Sequence, residues 1–304
     1  MRSTYLAVCF VALPLLADDR PKPAAPGTLL ITDAAGKEHK VTGWTFTAGT
    51  RRLGWLVPAD KAKGKKAGPE ALAVRDELKF NYLAGVVTLV PLDRLRSVRF
   101  EDEKMTVRAA TGPKDEEDAV LVGTSAYKGI NKVTLEADVD RGAAGVASLT
   151  FQGGVPRGIK ALRFPEPKAE PFKPGRPAVV VTMDKDVERT HKVSDLQPLY
   201  LMADGREALS STLMFKKTLK LDVAKVKSIT AGEEEGDEPV WRVVQKDGDD
   251  STLTLLTAPP LDGQKATLVG LLGRVPVGYK LIPIKRVKSV TFDSTEAGKP
   301  KVEF

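Results

Sequence analysis

The chain has 304 residues, with 47 Lys+Arg against 40 Asp+Glu, 2 His, 1 Cys, 42% hydrophobic residues and 6% aromatics. Apolar content on this scale with an ordinary charged fraction excludes wholesale disorder and a multi-span membrane protein, and one Cys excludes an intrachain disulfide framework. The length alone suggests two domains, and a net charge of +7 with a pI near 9.3 raises nucleic acid as a partner.

The N-terminus points elsewhere. Met1 to Thr4 give a short cationic start, Tyr5 to Leu16 is almost entirely apolar, and Ala17 precedes the polar run Asp18, Asp19, Arg20. This is the layout of a secretory signal peptide over residues 1–17, too short to span a bilayer comfortably. Cleavage after Ala17 would discard Cys9 and leave a mature chain without a thiol, as suits an oxidising compartment. Val8 before Cys9 argues against a lipid anchor, and the most apolar later stretch, Thr267 to Ile284, is broken by Arg274, Pro276 and Lys280. A periplasmic or extracellular protein with no transmembrane anchor is therefore expected, with residues 18–26 as a spacer.

From residue 27 onward the pattern is that of strands and turns. Gly43-Trp44-Thr45-Phe46 and Leu53-Gly54-Trp55 flank a turn at Ala48 to Thr50. Alternation puts Trp44 and Phe46 on one strand face, with Trp55 within reach across a hairpin. Such rings either fill a small core or, where exposed, stack on sugars, so Trp44, Phe46 and Trp55 are the candidate ligand-binding residues. The turn-rich stretch Pro58 to Leu78 carries Lys61, Lys63, Lys65 and Lys66 without interleaved aromatics. Nucleic-acid binders combine basic grooves with stacking rings, so this loop suits anionic envelope polymers or solubility. Alternating stretches follow at Met105, Ala119, Lys132, Ala147, Val240 and Ser251, and KDGDD from Lys246 reads as a hairpin turn. PEPKAEPFKPGRP at 165–177 cannot pair as a central strand and reads as an interdomain linker.

An internal repeat runs through these elements. VPLDRLRSVRFED from Val90 matches IPIKRVKSVTFDS from Ile282, and weaker copies begin at Pro156 and Asp222. Anchored on Leu95, Ile159, Val226 and Val287, the copies are 64, 67 and 61 residues apart. The two His lie in matching HKV tripeptides, His39 to Val41 and His191 to Val193. The apolar residues of LDRLRSVRF recur first at three and then at two, which reads as a turn running into a strand. The expected fold is all-β: two tandem duplicated domains of small β-barrel or sandwich units, residues 27–164 and 178–304, with no convincing helical stripe outside the leader.

The form apolar-Pro-Leu-x-x-Leu/Ile-x-Ser-Val/Ile-x-Phe resembles the closing strand of small β-repeat modules in uncharacterised exported bacterial proteins. The resemblance covers the four motif copies and their leading strands. It implies an envelope or secreted β-module and brings no catalytic residues.

Chemistry is sparse. Neither His39 nor His191 lies near a nucleophile elbow, and two distant His make a poor zinc site. The acidic runs at Asp115 to Asp118, Glu233 to Glu238, and Asp247 to Asp250 fall at expected turns and lack a calcium-loop pattern. No catalytic, cofactor or metal residues are assigned. The expected function is a non-enzymatic β-repeat protein that binds or scaffolds in the cell envelope, with envelope polysaccharide or another envelope protein as partner and no nucleic acid. Two alternatives remain, a glycan-binding module using exposed Trp and a hydrolase whose site shows no motif; a carboxylate pair for glycoside hydrolysis need only meet in space.

Overall fold

The computed structural model describes residues 27–57, 68–75, 85–101, 104–112, 118–124, 133–153, 158–167, 169–184, 187–232, 239–261 and 263–295. The leader and spacer, the lysines of 61–66, and the acidic runs at 115–117 and 233–238 lie outside them. The first half of the chain forms β1 (Leu29–Asp33), β2 (Glu38–Ala48), β3 (Thr50–Arg52), β4 (Glu70–Arg75), β5 (Val87–Pro91), β6 (Leu95–Phe100), β7 (Lys104–Ala110), β8 (Asp118–Thr124), β9 (Thr134–Asp140), β10 (Val146–Gln152) and β11 (Ile159–Arg163). The second half forms β12 (Pro177–Asp184), β13 (Val187–Met202), β14 (Glu207–Leu209), β15 (Thr212–Met214), β16 (Lys220–Asp222), β17 (Val226–Ala231), β18 (Val240–Gln245), β19 (Asp250–Thr254), β20 (Pro260–Leu261), β21 (Gln264–Val275), β22 (Gly278–Pro283) and β23 (Val287–Phe292). Between them lie only single turns of 3-10 helix among the described residues, so the fold is all-β.

The strands make an 8-stranded sheet in the order β10-β9-β2-β1-β11-β6-β7-β8, and a 13-stranded sheet whose main path is β19-β18-β17-β23-β12-β13-β21-β22-β5-β4-β3. Neither closes into a barrel, so the barrel form of the expected unit does not apply. Read from the opposite end, the stretch β22-β21-β13-β12-β23-β17-β18-β19 takes its strands in the same chain order as the whole first sheet.

The registers match too. Ile31 lies opposite His39 and Leu162, while Val180 lies opposite His191 and Val290. Each motif strand starts at its sequence anchor and bulges at the next residue. Ladder partners skip from Leu95 to Ser97, Ile159 to Ala161, Val226 to Ser228, and Val287 to Ser289, passing over Arg96, Lys160, Lys227 and Lys288. A bulge sets two residues against one. This is why Leu95, Val98 and Phe100 are all buried although they recur at three and then at two. The skipped residue is basic each time, a long polar side chain placed where the ladder is already interrupted.

The halves differ in where their middle strands go. At Gly49, whose φ of 92° suits glycine, the chain leaves the first sheet. β3 then pairs with β4, β4 with β5, and β5 with β22 of the other half. The boundary at 165–177 therefore separates the sequence halves but not the folded ones. Where β5 joins, the large sheet is buried on both faces. Leu72, Val90, Leu271 and Ile282 belong to the main core, while Ala71, Leu89, Leu272 and Leu281 pack on the opposite side with Leu53 and Leu199.

The proline-rich segment is pinned to both halves. Phe172 donates its backbone N–H to Thr111 O at 3.2 Å, and Arg94 donates to Glu170 O at 3.0 Å and Pro276 O at 3.3 Å. Arg176 ties the start of β12 to Val223, Val226 and Asp293 of the second half.

Candidate functional site

Trp44 and Phe46 do share a face, and it points inward. Gly43, with φ at 54°, shifts the β2–β9 register so that Val41, Trp44 and Phe46 are all buried. Trp44 is 4% exposed, meets Phe46 edge-on at 5.8 Å and Phe164 at 5.7 Å, and donates from Nε1 to Gly27 O at 3.3 Å. Trp55 is carried away by β3. It packs on the reverse face of the large sheet against Tyr279, 6.2 Å between centroids, with Arg51 over its ring. Stacking on a sugar needs an open ring face, and Trp44 and Phe46 offer none. The three candidate residues are thus split between two cores because the expected hairpin does not exist.

The two His lie in different sheets, in corresponding places. His39 Nε2 meets Asp33 Oδ2, and His191 Nε2 meets Thr182 Oγ1, each at 2.9 Å. The hydrogen bond from His39 is the main reason the Asp33 carboxyl is held below its ordinary range. Among the described residues no group of three or more His, Cys, Asp or Glu could hold a metal ion. Among them, too, no helix is long and apolar enough to cross a membrane.

Sequence reading missed a basic trough on the outward face of the first sheet. Outward positions align across neighbouring strands: Leu30 of β1 beside Arg163 of β11, Arg163 beside Ser97 of β6, and Ser97 beside Arg108 of β7. Strands stand about 4.8 Å apart, so Arg163 and Arg108 flank Ser97 from either side. Arg99, two residues along β6, points the same way. Ser97, Arg99, Arg108 and Arg163 line one recess of about 250 Å³, with Glu38 and Thr32 at its far end. A second recess of about 420 Å³ shares Ser97, Arg108 and Arg163, is lined also by Arg96 and Asp118, and ends at Glu166 and Pro167. Asp118 is 5% exposed and is held by Arg96 Nε at 2.5 Å and Arg108 Nη2 at 3.4 Å. Arg99 and Arg163 are exposed and form no ion pair among the described residues. The signal was present in the sequence as arginines at alternate strand positions, but only strand pairing shows that β6, β7 and β11 are neighbours.

No family model matches this chain, and neither the curated proteins nor the solved structures contain a significant match.

Proposed function

We propose that the chain is an exported, non-enzymatic β-repeat protein of the periplasm or extracellular space that binds or scaffolds a component of the cell envelope. The observation that carries this reading is the insertion of β3–β5 into the sheet of the other half. It ties the two sheets into one body with broad, fixed faces. Such faces serve to present a surface rather than to close on a substrate. The shared strand order, the bulges at corresponding residues and the matched histidines support an origin by tandem duplication, after which the middle strands diverged. The leader-like N-terminus supports export.

Two experiments test the reading. Protein recovered from the extracytoplasmic fraction should begin at Asp18 or within a residue or two of it; cytoplasmic protein with Met1 intact would overturn export. The mature protein should co-sediment with isolated envelope and not with neutral polymer beads. Failure to sediment with any envelope fraction would remove the binding role.

A further inference from the structure

We infer that the trough on the first sheet is a binding site for an acidic polysaccharide, with an anionic group of the polymer seated over Ser97 between Arg99, Arg108 and Arg163. The inference rests on the binding role proposed above and locates it.

Three observations carry it. First, the ladder of the second half forms without arginines at the matched positions. Strand register places Thr230 where the first half has Arg99, Val244 where it has Arg108, Thr291 where it has Arg163, and Ser228 where it has Ser97. The same ladder forms with short neutral residues, and Arg108 is already engaged with Asp118, so it is Arg99 and Arg163, exposed and outside any ion pair among the described residues, that call for another explanation. Second, their charge is concentrated in the middle of the trough. Asp118 is taken up by Arg96 and Arg108, while Glu38 and Glu166 stand at opposite ends. A guanidinium presents a rigid fork of donors that fits planar and tetrahedral oxyanions in pairs, and the Ser97 hydroxyl adds a neutral donor between them. Third, the shape suits a chain rather than a compact ligand. Two recesses of about 250 and 420 Å³ run together through Ser97, Arg108 and Arg163. One seats a single charged group, and the other leaves room for the adjoining units. Lys40, across the ladder from Leu30, extends the cationic row on the β2 side.

The test uses the purified mature protein with dextran sulfate, neutral dextran of the same length, and inorganic polyphosphate as probes. Dextran sulfate should bind with an affinity that falls steeply with salt, because screening weakens exposed charge pairs, and neutral dextran should not bind. The double variant R99T/R163T installs the residues the second half already carries, so folding is preserved. It should weaken dextran sulfate binding at least tenfold with an unchanged melting curve, while K227T on the second half should bind as wild type. Equal binding by R99T/R163T and wild type would overturn the site. Polyphosphate binding as tight as dextran sulfate would overturn the polysaccharide assignment. If R99T/R163T still co-sediments with envelope as wild type does, the trough assignment fails while the binding role stands. If wild type binds neither envelope nor dextran sulfate, both fail.

Discussion

His39 and His191 occupy corresponding ladder positions in the two sheets, and each bonds through Nε2 at 2.9 Å to the side chain at one matched position of the neighbouring strand, Asp33 in β1 and Thr182 in β12. The partner is a carboxylate in one sheet and a hydroxyl in the other, at the same distance. The surroundings explain the difference. His39 and Asp33 are part-exposed, at 16% and 25% of their side chains, whereas His191 and Thr182 are buried. A carboxylate is tolerated where water reaches it, and a neutral hydroxyl is the cheaper partner inside.

Replacing His191 with Ala should therefore cost about 1–3 kcal/mol, since the Thr182 hydroxyl would keep only its long bond to Arg189 O and the ring's volume would empty. His39→Ala should cost less, as expected of a part-exposed pair. Urea unfolding of the two variants gives the comparison. Equal losses would contradict the difference in burial.

Arg176 donates to both oxygens of Asp293, at 2.7 and 2.9 Å, to Val223 O at 2.7 Å and Val226 O at 2.8 Å, and lies 4.7 Å from the Phe292 ring centre. A lysine cannot reproduce that fork. Arg176→Lys should lose about 1–3 kcal/mol, and the pH dependence should identify the pair. The Arg176 hydrogen bond, with Lys246 Nζ at 2.9 Å beside it, holds the Asp293 carboxyl down at about 2 from 3.8. A lowered folded-state pKa stabilises fully above the unfolded value and ceases to do so as pH falls through the folded one. The stability gap between wild type and Asp293→Asn should accordingly be constant above about pH 4 and shrink between there and about pH 2. A gap independent of pH across that window would exclude the assignment.

Gly278 sits at the joint between the halves with φ at 148°, and a Cβ there would come within 2.3 Å of Leu89 O on β5. Gly278→Ala should cost about 1–3 kcal/mol by overpacking. Amide exchange should speed up at Val87 to Leu89 and Tyr279 to Leu281 more than in β12. At Gly36, with φ at 82° and nothing within 4 Å, the same substitution meets only the backbone penalty and should leave the joint unchanged. Uniform acceleration across both sheets in Gly278→Ala would show that β5 is not locally dependent on that contact.

The three tryptophans give a direct optical check. Trp44 and Trp241 are 4% and 3% exposed, so their emission should be blue-shifted and resistant to acrylamide. Trp55, half-buried against Tyr279, should supply most of the quenchable signal, and Trp55→Phe should remove it. Neutral oligosaccharides should leave the spectrum unchanged. A sugar-dependent shift lost in Trp44→Phe would restore the stacking role.

Much of the local structure was legible. The alternating stretches at Met105, Ala119, Ala147, Val240 and Ser251 are β7, β8, β10, β18 and β19, and the turn at Lys246 to Asp249 places Gly248 at φ 96°. The spacing of Leu95, Val98 and Phe100 was legible as a pattern but not as a bulge, because a bulge is defined by the partner strand. The aromatic site was misplaced for a related reason. Alternation states which side chains share a face, as it did for Trp44 and Phe46. It does not say whether that face meets water or whether the next strand turns back.

By itself, the sequence determined the all-β class and the positions of several strands, since each depends on residues within a few positions of one another. The tertiary structure alone decided that β5 would leave its own half and pair with β22, that Trp55 would go with β3 to the far face, and that Arg99, Arg108 and Arg163 would meet around Ser97. Backbone hydrogen bonding is the same for every residue but proline, so a strand edge accepts whichever segment reaches it with matching faces. That choice depends on burying apolar surface across the whole chain, and no local pattern records it.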